Sequence, residues 1–402
     1  MRFRTSVSLF GASRLAAAVI LAAGLAQAGC SDDGPGSPDE PDASTPGPRP
    51  DAGQGPDGGS VVDAGPVVDG GPESDGGVID EPGASTLAGG GAPGDADGTG
   101  GAASFNNPAS VAVGPDSNVY VTDFENDSVR RITPAGVVST LTAQSGFDRP
   151  FGITFAADGT LYVQTDANDA QQVSVDTGTN WRLDLDSGEA TVVARNIGRP
   201  RGLAALSDGR LVLIDHPKHT VALLDPDAAS PVPEPLAGAP GQIGYVDATG
   251  NVARFSRPLG VAVIDDEIYV ADRDNHRIRK VTLDGVVTTV AGSGTAGSDD
   301  GALAQASFNK PYGLASDSAG NLYVSDFDGY VIRQVALDTG TVVTIAGDGT
   351  QGFKDHANPL MAQFYGLEGL DVDDDGTYLY VADGSRGEPD PHHRIRRVRL
   401  VE

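Results

Sequence analysis

Three features of the sequence predict an all-β fold. Six copies of one short pattern follow one another after residue 85, rich in β-branched residues and bounded by Gly and Asp turns. Apolar and polar residues alternate with period two inside each copy, as half-buried strands require. The copies recur roughly every 40 to 60 residues, with room for four strands each. That combination is a propeller blade, so residues 85–402 are expected to form one six-bladed β-propeller of four-stranded antiparallel blades.

The chain opens on what reads as an export signal over residues 1–29. Arg2, Arg4 and Arg14 make a basic start, and Leu15 to Ala26 is an apolar run of twelve, shorter than the ~20 residues a spanning helix needs. Ala26-Gln27-Ala28 suits ordinary signal cleavage, while Ala28-Gly29-Cys30 resembles the end of a bacterial lipobox, so both cleavage chemistries are open. Cys30 is the single cysteine of the chain, which excludes an intramolecular disulfide and a CxxC redox site. Lipidation of Cys30 is the expectation, with a cell-envelope location at the outer membrane or cell surface, and a periplasmic or secreted protein otherwise. Residues 30–84 are read as the lipidated Cys followed by a disordered Gly/Pro/Asp-rich linker. Residues 31–84 hold 13 acids against Arg49 alone and too few apolar side chains to bury a core.

The blades then follow. The first strand of each copy carries Pro-x-Gly-φ-Ala or a relic of it, beginning at Pro108, Pro150, Pro200, Pro258, Pro311 and the degenerate Leu367. The second strands are read as ending at Asp123, Asp166, Asp215, Asp272, Asp326 and Asp383, facing Arg131, Arg279, Arg333 and Arg396 of the third strands. The words Thr289-Val290-Ala291-Gly292 and Thr344-Ile345-Ala346-Gly347 mark fourth strands, and Thr86-Leu87-Ala88-Gly89 repeats them at the start of the domain. The last copy stops after three strands. Residues of about 85–89 are therefore expected to supply its missing outer strand and so remove an open edge.

Asp272-Arg-Asp-Asn275-His276-Arg277-Ile278-Arg279 resembles the signature of the NHL repeat, and Gly292 through Pro311 resembles the stretch between blades of bacterial NHL propellers of the envelope lipoprotein type. The resemblance spans essentially all of 85–402 and implies the propeller fold. It leaves function open, because such propellers serve as binding, sensory and lyase domains.

A residue found in every blade is expected to be structural, so function is sought where copies differ. The variable residue of Pro-x-Gly reads Ala109, Phe151, Arg201, Leu259, Tyr312 and Glu368, at one mouth of the central channel. Two aromatics with an Arg and a Glu around an axial pit suit a ligand that is partly apolar and partly polar. The loops emerging on the same face carry His216, His219, His392 and His393. Phe151, Arg201, Tyr312, Glu368 and these four histidines form the candidate ligand-binding set. No catalytic residue, metal ligand or cofactor is assigned. Asp371-Val-Asp373-Asp-Asp375-Gly376 begins like a calcium loop but has Ala382 where the bidentate Glu belongs.

Acids outnumber bases 56 to 27 and the net charge is −29, which argues against a nucleic-acid partner. The expected function is a non-enzymatic binding module, monomeric, for a protein, peptide or glycan, touching the membrane through its N-terminal lipid alone. The alternative is a propeller hydrolase or lyase resembling lactonases or amidating lyases, with a metal in the central channel. Only Glu368 and Asp371 supply acids on the inner strands for such a metal.

Overall fold

The computed structural model describes residues 83–168, 172–384 and 392–400. Six antiparallel sheets follow one another, each of four strands, with a two-residue strand added to the edge of the first and the fifth. Blade 1 runs Pro108–Val113, Val119–Asp123, Ser128–Ile132 and Val137–Thr142, and the other blades repeat this order from axis to rim. No α-helix occurs among the described residues; short 3₁₀ turns fill the tight corners.

Closure is by strand exchange. The strand Ala84–Gly91 pairs with His393–Arg399, with Ala84 opposite Val398 and Thr86 opposite Arg396, and so completes blade 6. The first and last strands of the propeller thus share one sheet, and the ring has no unpaired last blade. The core lies in the seams between blades rather than inside any one of them. At the closing seam Leu87, Phe105, Val111 and Val121 pack against Tyr380 and Ile395.

The connections between blades come in two kinds. Where the connection is long, a third-strand arginine with no exposed surface holds it down. Arg130 bonds Asp123 at 2.9 Å and Asp97 at 2.7 Å, and Arg279 joins Asp272 to Asp247. Arg333 joins Asp326 to Asp300, and Arg396 joins Asp383 to Asp355. Each guanidinium also lies about 5 Å over a phenylalanine of its connection: Phe105, Phe255, Phe308 or Phe364. The blade 1 partner of Asp123 is therefore Arg130, not the expected Arg131. The two arginines are adjacent, so they point to opposite faces of the strand, and the register sets Arg130 opposite Val121.

Blades 2 and 3 follow short connections and have no such clasp. The clasp position, opposite the residue two before the end of the second strand, holds Trp181 in blade 2 and Ala222 in blade 3. In blade 2 the register also corrects the sequence alignment. Pro150 pairs with Thr165, as Pro108 pairs with Asp123, so Thr165 and not Asp166 stands at the strand end. Trp181 donates its indole N–H to the Thr165 hydroxyl at 2.9 Å. A neutral hydrogen bond there takes the place of the ion pairs, and Phe147 packs edge-on against the indole. The buried Trp181 is blade packing.

Candidate functional site

The innermost strands surround the axis, each with one edge paired and the other facing the channel. Backbone N–H and C=O groups therefore line the cavity along with side chains. The cavity has a volume of about 210 Å³ and runs between the first strands of all six blades, from Phe151, Arg201, Leu259 and Tyr312 at one end to Asp371 at the other.

At the first end the expected open pit is instead a roof. Phe151 is nearly fully buried. It meets Phe124 edge-on at 5.9 Å and lies 6.5 Å from Tyr312, which stacks on Phe327 at 4.8 Å. Four rings thus cross the axis from blade 1 to blade 5. The Arg201 guanidinium sits 4.1 Å above the Phe151 ring and 5.4 Å from Phe124. The aromatics that would only rim a wide channel close the narrow one of a six-bladed ring.

Two of the four rings, Phe124 and Phe327, stand outside the candidate set drawn from the sequence. The residue following the second strand of each blade also turns toward the axis, giving Phe124, Asp166, His216, Arg273, Phe327 and Gly384. The signal was available, because these residues occupy one alignment column and vary as freely as the x of Pro-x-Gly. Asp166 accepts Arg199 and Arg201, each at 3.0 Å, so the charge partner of Arg201 is Asp166. Glu368 is buried in blade 6, where its carbonyl accepts the Ser325 hydroxyl at 2.7 Å.

His216 is held at the same end by a 3.3 Å contact from Nδ1 to the Pro258 carbonyl. A carbonyl can only accept, so Nδ1 carries the proton and Nε2 keeps its lone pair. Burial and the nearby guanidiniums of Arg201 and Arg273 hold its pKa well below the usual imidazole value, and the ring is neutral.

His219 and His393 have a different geometry. Each accepts, at Nδ1, the backbone N–H of the residue just before the next blade's first strand: Arg257 at 3.0 Å and Asn107 at 2.8 Å. His276 does the same for Lys310, and Asp127 for Arg149. All four donors have positive φ, between 46° and 59°. These side chains pin a left-handed bend that bulky residues adopt at some cost, where the chain turns into the inner strand. His393, with its ring buried, has its pKa pushed down to about 4. His392 stacks on Tyr365 at 3.9 Å. The structure therefore brings Phe151, Arg201, Tyr312 and His216 together, and sets His219 and His393 in the seams.

The acids at the other end are spent on backbone. Asp371 accepts the Val113 amide of blade 1 at 2.8 Å, and burial pushes it up to about 6. Asp373 accepts the Thr377 and Tyr378 amides within a tight turn. Among the described residues no three His, Cys, Asp or Glu side chains converge as a metal site would need. Cys30, the export signal and the linker lie outside the described residues.

The family described as NHL repeat matches residues 255–281, the inter-blade loop and first three strands of blade 4. Among curated proteins, NHL repeat-containing protein 2 of Bos taurus is 30% identical over 310 residues, covering 63% of this chain and 42% of that protein. Teneurin-m of Drosophila melanogaster is 24% identical over 344 residues, covering 72% of this chain and 12% of that protein. The chain thus spans less than half the length of the curated relatives it matches. Among solved structures, a structural genomics protein of Bacteroides thetaiotaomicron superposes with a TM-score of 0.62 at 22% identity, covering 78% of this chain and 74% of that one. An auxiliary nutrient binding protein of the same organism does so at 0.60 and 18%, covering 78% and 75%. These likenesses, with the repeat itself and the six sheets, agree on one conclusion: the chain is a six-bladed β-propeller whose fourth blade matches the NHL repeat.

Proposed function

We propose that this chain is an exported, lipid-anchored binding module that takes a protein, peptide or glycan ligand at the axial end formed by Phe151, Arg201, Tyr312, Glu368 and His216. His219, His392 and His393 support that end from the surrounding loops. The observation that carries the reading is the concentration of departures from the repeat at one end of one cavity. Aromatic rings, a stacked guanidinium and a neutral imidazole meet there, while most of the remaining cavity-lining positions are Ala, Val, Leu, Ile and Gly. Aromatic and Arg side chains gathered at a cavity are the usual carriers of binding energy. The name of the nutrient-binding propeller above accords with a binding role, although that likeness is one of fold. Export and anchoring rest on the apolar run ending at Ala26 and on Ala28-Gly29-Cys30.

A photo-crosslinking amino acid tests the site directly. Placed at Leu259, on the same ring as Phe151 and Tyr312, it is expected to give a discrete adduct in intact envelopes. Placed at Ser318, an exposed turn at the other end of blade 5, it is expected to give none. An adduct from Ser318 and none from Leu259 would put binding on the other face.

A further inference from the structure

One seam of the ring differs from the rest in a way that packing does not explain. In each blade the last residue but one of the second strand faces a third-strand partner across the sheet. Five blades fill this pair with small or apolar groups: Thr122 with Val129, Ile214 with Val221, Ala271 with Ile278, Ser325 with Ile332, and Ala382 with Ile395. In blade 2 the pair is Gln164 with Asn180. Both are fully buried, and the oxygen and nitrogen of both amides have no hydrogen-bond partner in the protein. The two hydroxyls at the position are satisfied, since Thr122 bonds the Phe151 carbonyl and Ser325 the Glu368 carbonyl of the next blade. Four orphaned polar atoms in one cross-strand pair are a strong departure from how folded proteins treat buried polar groups.

The pair stands directly behind the wall of the axial cavity. Gln164 lies against Gly152, an inner-strand residue of the cavity wall, and a Cβ on Gly152 would collide with the Gln164 amide and approach Leu203 of blade 3. Glycine here lets the Gln164 amide pack on the inner strand, so the backbone at 152 is what separates that amide from the cavity. The neighbouring blade 2–3 connection is short and, like the blade 1–2 connection, lacks the arginine clasp.

We infer that the Gln164–Asn180 pair is a polar subsite of the axial cavity, and that it selects a neutral, hydroxyl-rich ligand, a saccharide unit. The inference rests on the axial-binding reading and narrows its ligand class. An amide offers two donors and one acceptor, and a sugar hydroxyl both donates and accepts, so each amide can be met at both ends. An anion would satisfy only the NH₂ groups and a cation only the C=O groups. The charged groups of the cavity wall are already engaged, Arg201 by Asp166 and Asp371 by the Val113 amide. The exposed inner-strand backbone adds further neutral donors and acceptors. The cavity of about 210 Å³ far exceeds what one bridging water occupies.

The test uses the full chain, titrated by calorimetry and by Trp181 fluorescence with glucose, galactose, mannose, xylose and their short β- and α-linked oligomers, and with glucuronate and galacturonate as charged counterparts. At least one neutral sugar is expected to bind and its uronate to bind at least tenfold more weakly. Gln164→Ile with Asn180→Val copies the Ile214/Val221 pair of blade 3. It is expected to keep or raise the melting temperature while weakening that sugar at least tenfold, and Gln164→Thr, which copies blade 1, provides a milder check. Equal binding by wild type and the double variant would mean that the amides hold ordered water only. No binding by any neutral sugar would end the saccharide assignment, yet a Leu259 adduct would leave the axial reading standing. Sugar binding that survives Tyr312→Ala and Arg201→Gln but not the double variant would separate the seam from the roof.

Discussion

Asp215 ends the second strand of blade 3 as Asp123, Asp272 and Asp326 end theirs, but among the described residues no guanidinium pairs with it. Its nearest cation is Lys218 at 3.6 Å, itself bonded to Asp176 at 2.6 Å. Burial pushes the Asp215 carboxyl up to about 6 from an ordinary value of 3.8. The folded state therefore holds this proton more tightly than the unfolded chain. The resulting stabilisation is full below pH 3.8 and is lost as pH rises through 6. Wild type is expected to gain about 1 kcal/mol on Asp215→Asn between pH 7 and pH 5. Urea denaturation of both proteins at each pH measures this, and a difference independent of pH would show that Lys218 keeps the carboxylate charged throughout.

The arginine clasp works at the scale of the element. It appears in the four blades whose preceding connection is long and is replaced by Trp181 and Ala222 in the two whose connection is short. A long connection must be fixed over the blade to cover its core, and one buried guanidinium does so with two carboxylates and a ring. Arg279→Ala leaves Asp272 buried without its cation, so a loss of about 3–5 kcal/mol is expected. Hydrogen exchange should rise first along 238–257, and unchanged exchange there would deny the clasp its role in holding the connection. The repeated Asp and Arg of this device were legible in the sequence because they recur. Its register was not. Arg130 and Arg131 differ only in strand parity, and the Gln164-Thr165-Asp166 stretch offers an Asp one place beyond the strand end. In the structure Thr165 takes the indole and Asp166 turns to the axis for Arg199 and Arg201.

For the whole molecule, the count of blades, the closing strand and the face on which Pro-x-Gly begins all followed from the repeat. The strand that closes the ring is Ala84–Gly91, slightly longer than expected. The ring of Ala109, Phe151, Arg201, Leu259, Tyr312 and Glu368 was legible because Pro and Gly bracket it. The second ring, from Phe124 to Gly384, has no such bracket, and the staple role of His219 and His393 depends on a bend in the neighbouring blade that no local pattern announces. Gln164 and Asn180 look like ordinary polar strand residues until their burial is seen. The central claim is that this axial end is where the molecule binds. The most direct measurement is the affinity of the partner captured at Leu259, or of the sugar found by titration, for Tyr312→Ala and Arg201→Gln against Ser318→Arg at the opposite end. The account predicts that the first two weaken binding at least tenfold, about 1.4 kcal/mol, with Ser318→Arg unchanged. Full affinity in Tyr312→Ala and Arg201→Gln, with binding lost in Ser318→Arg, would contradict it.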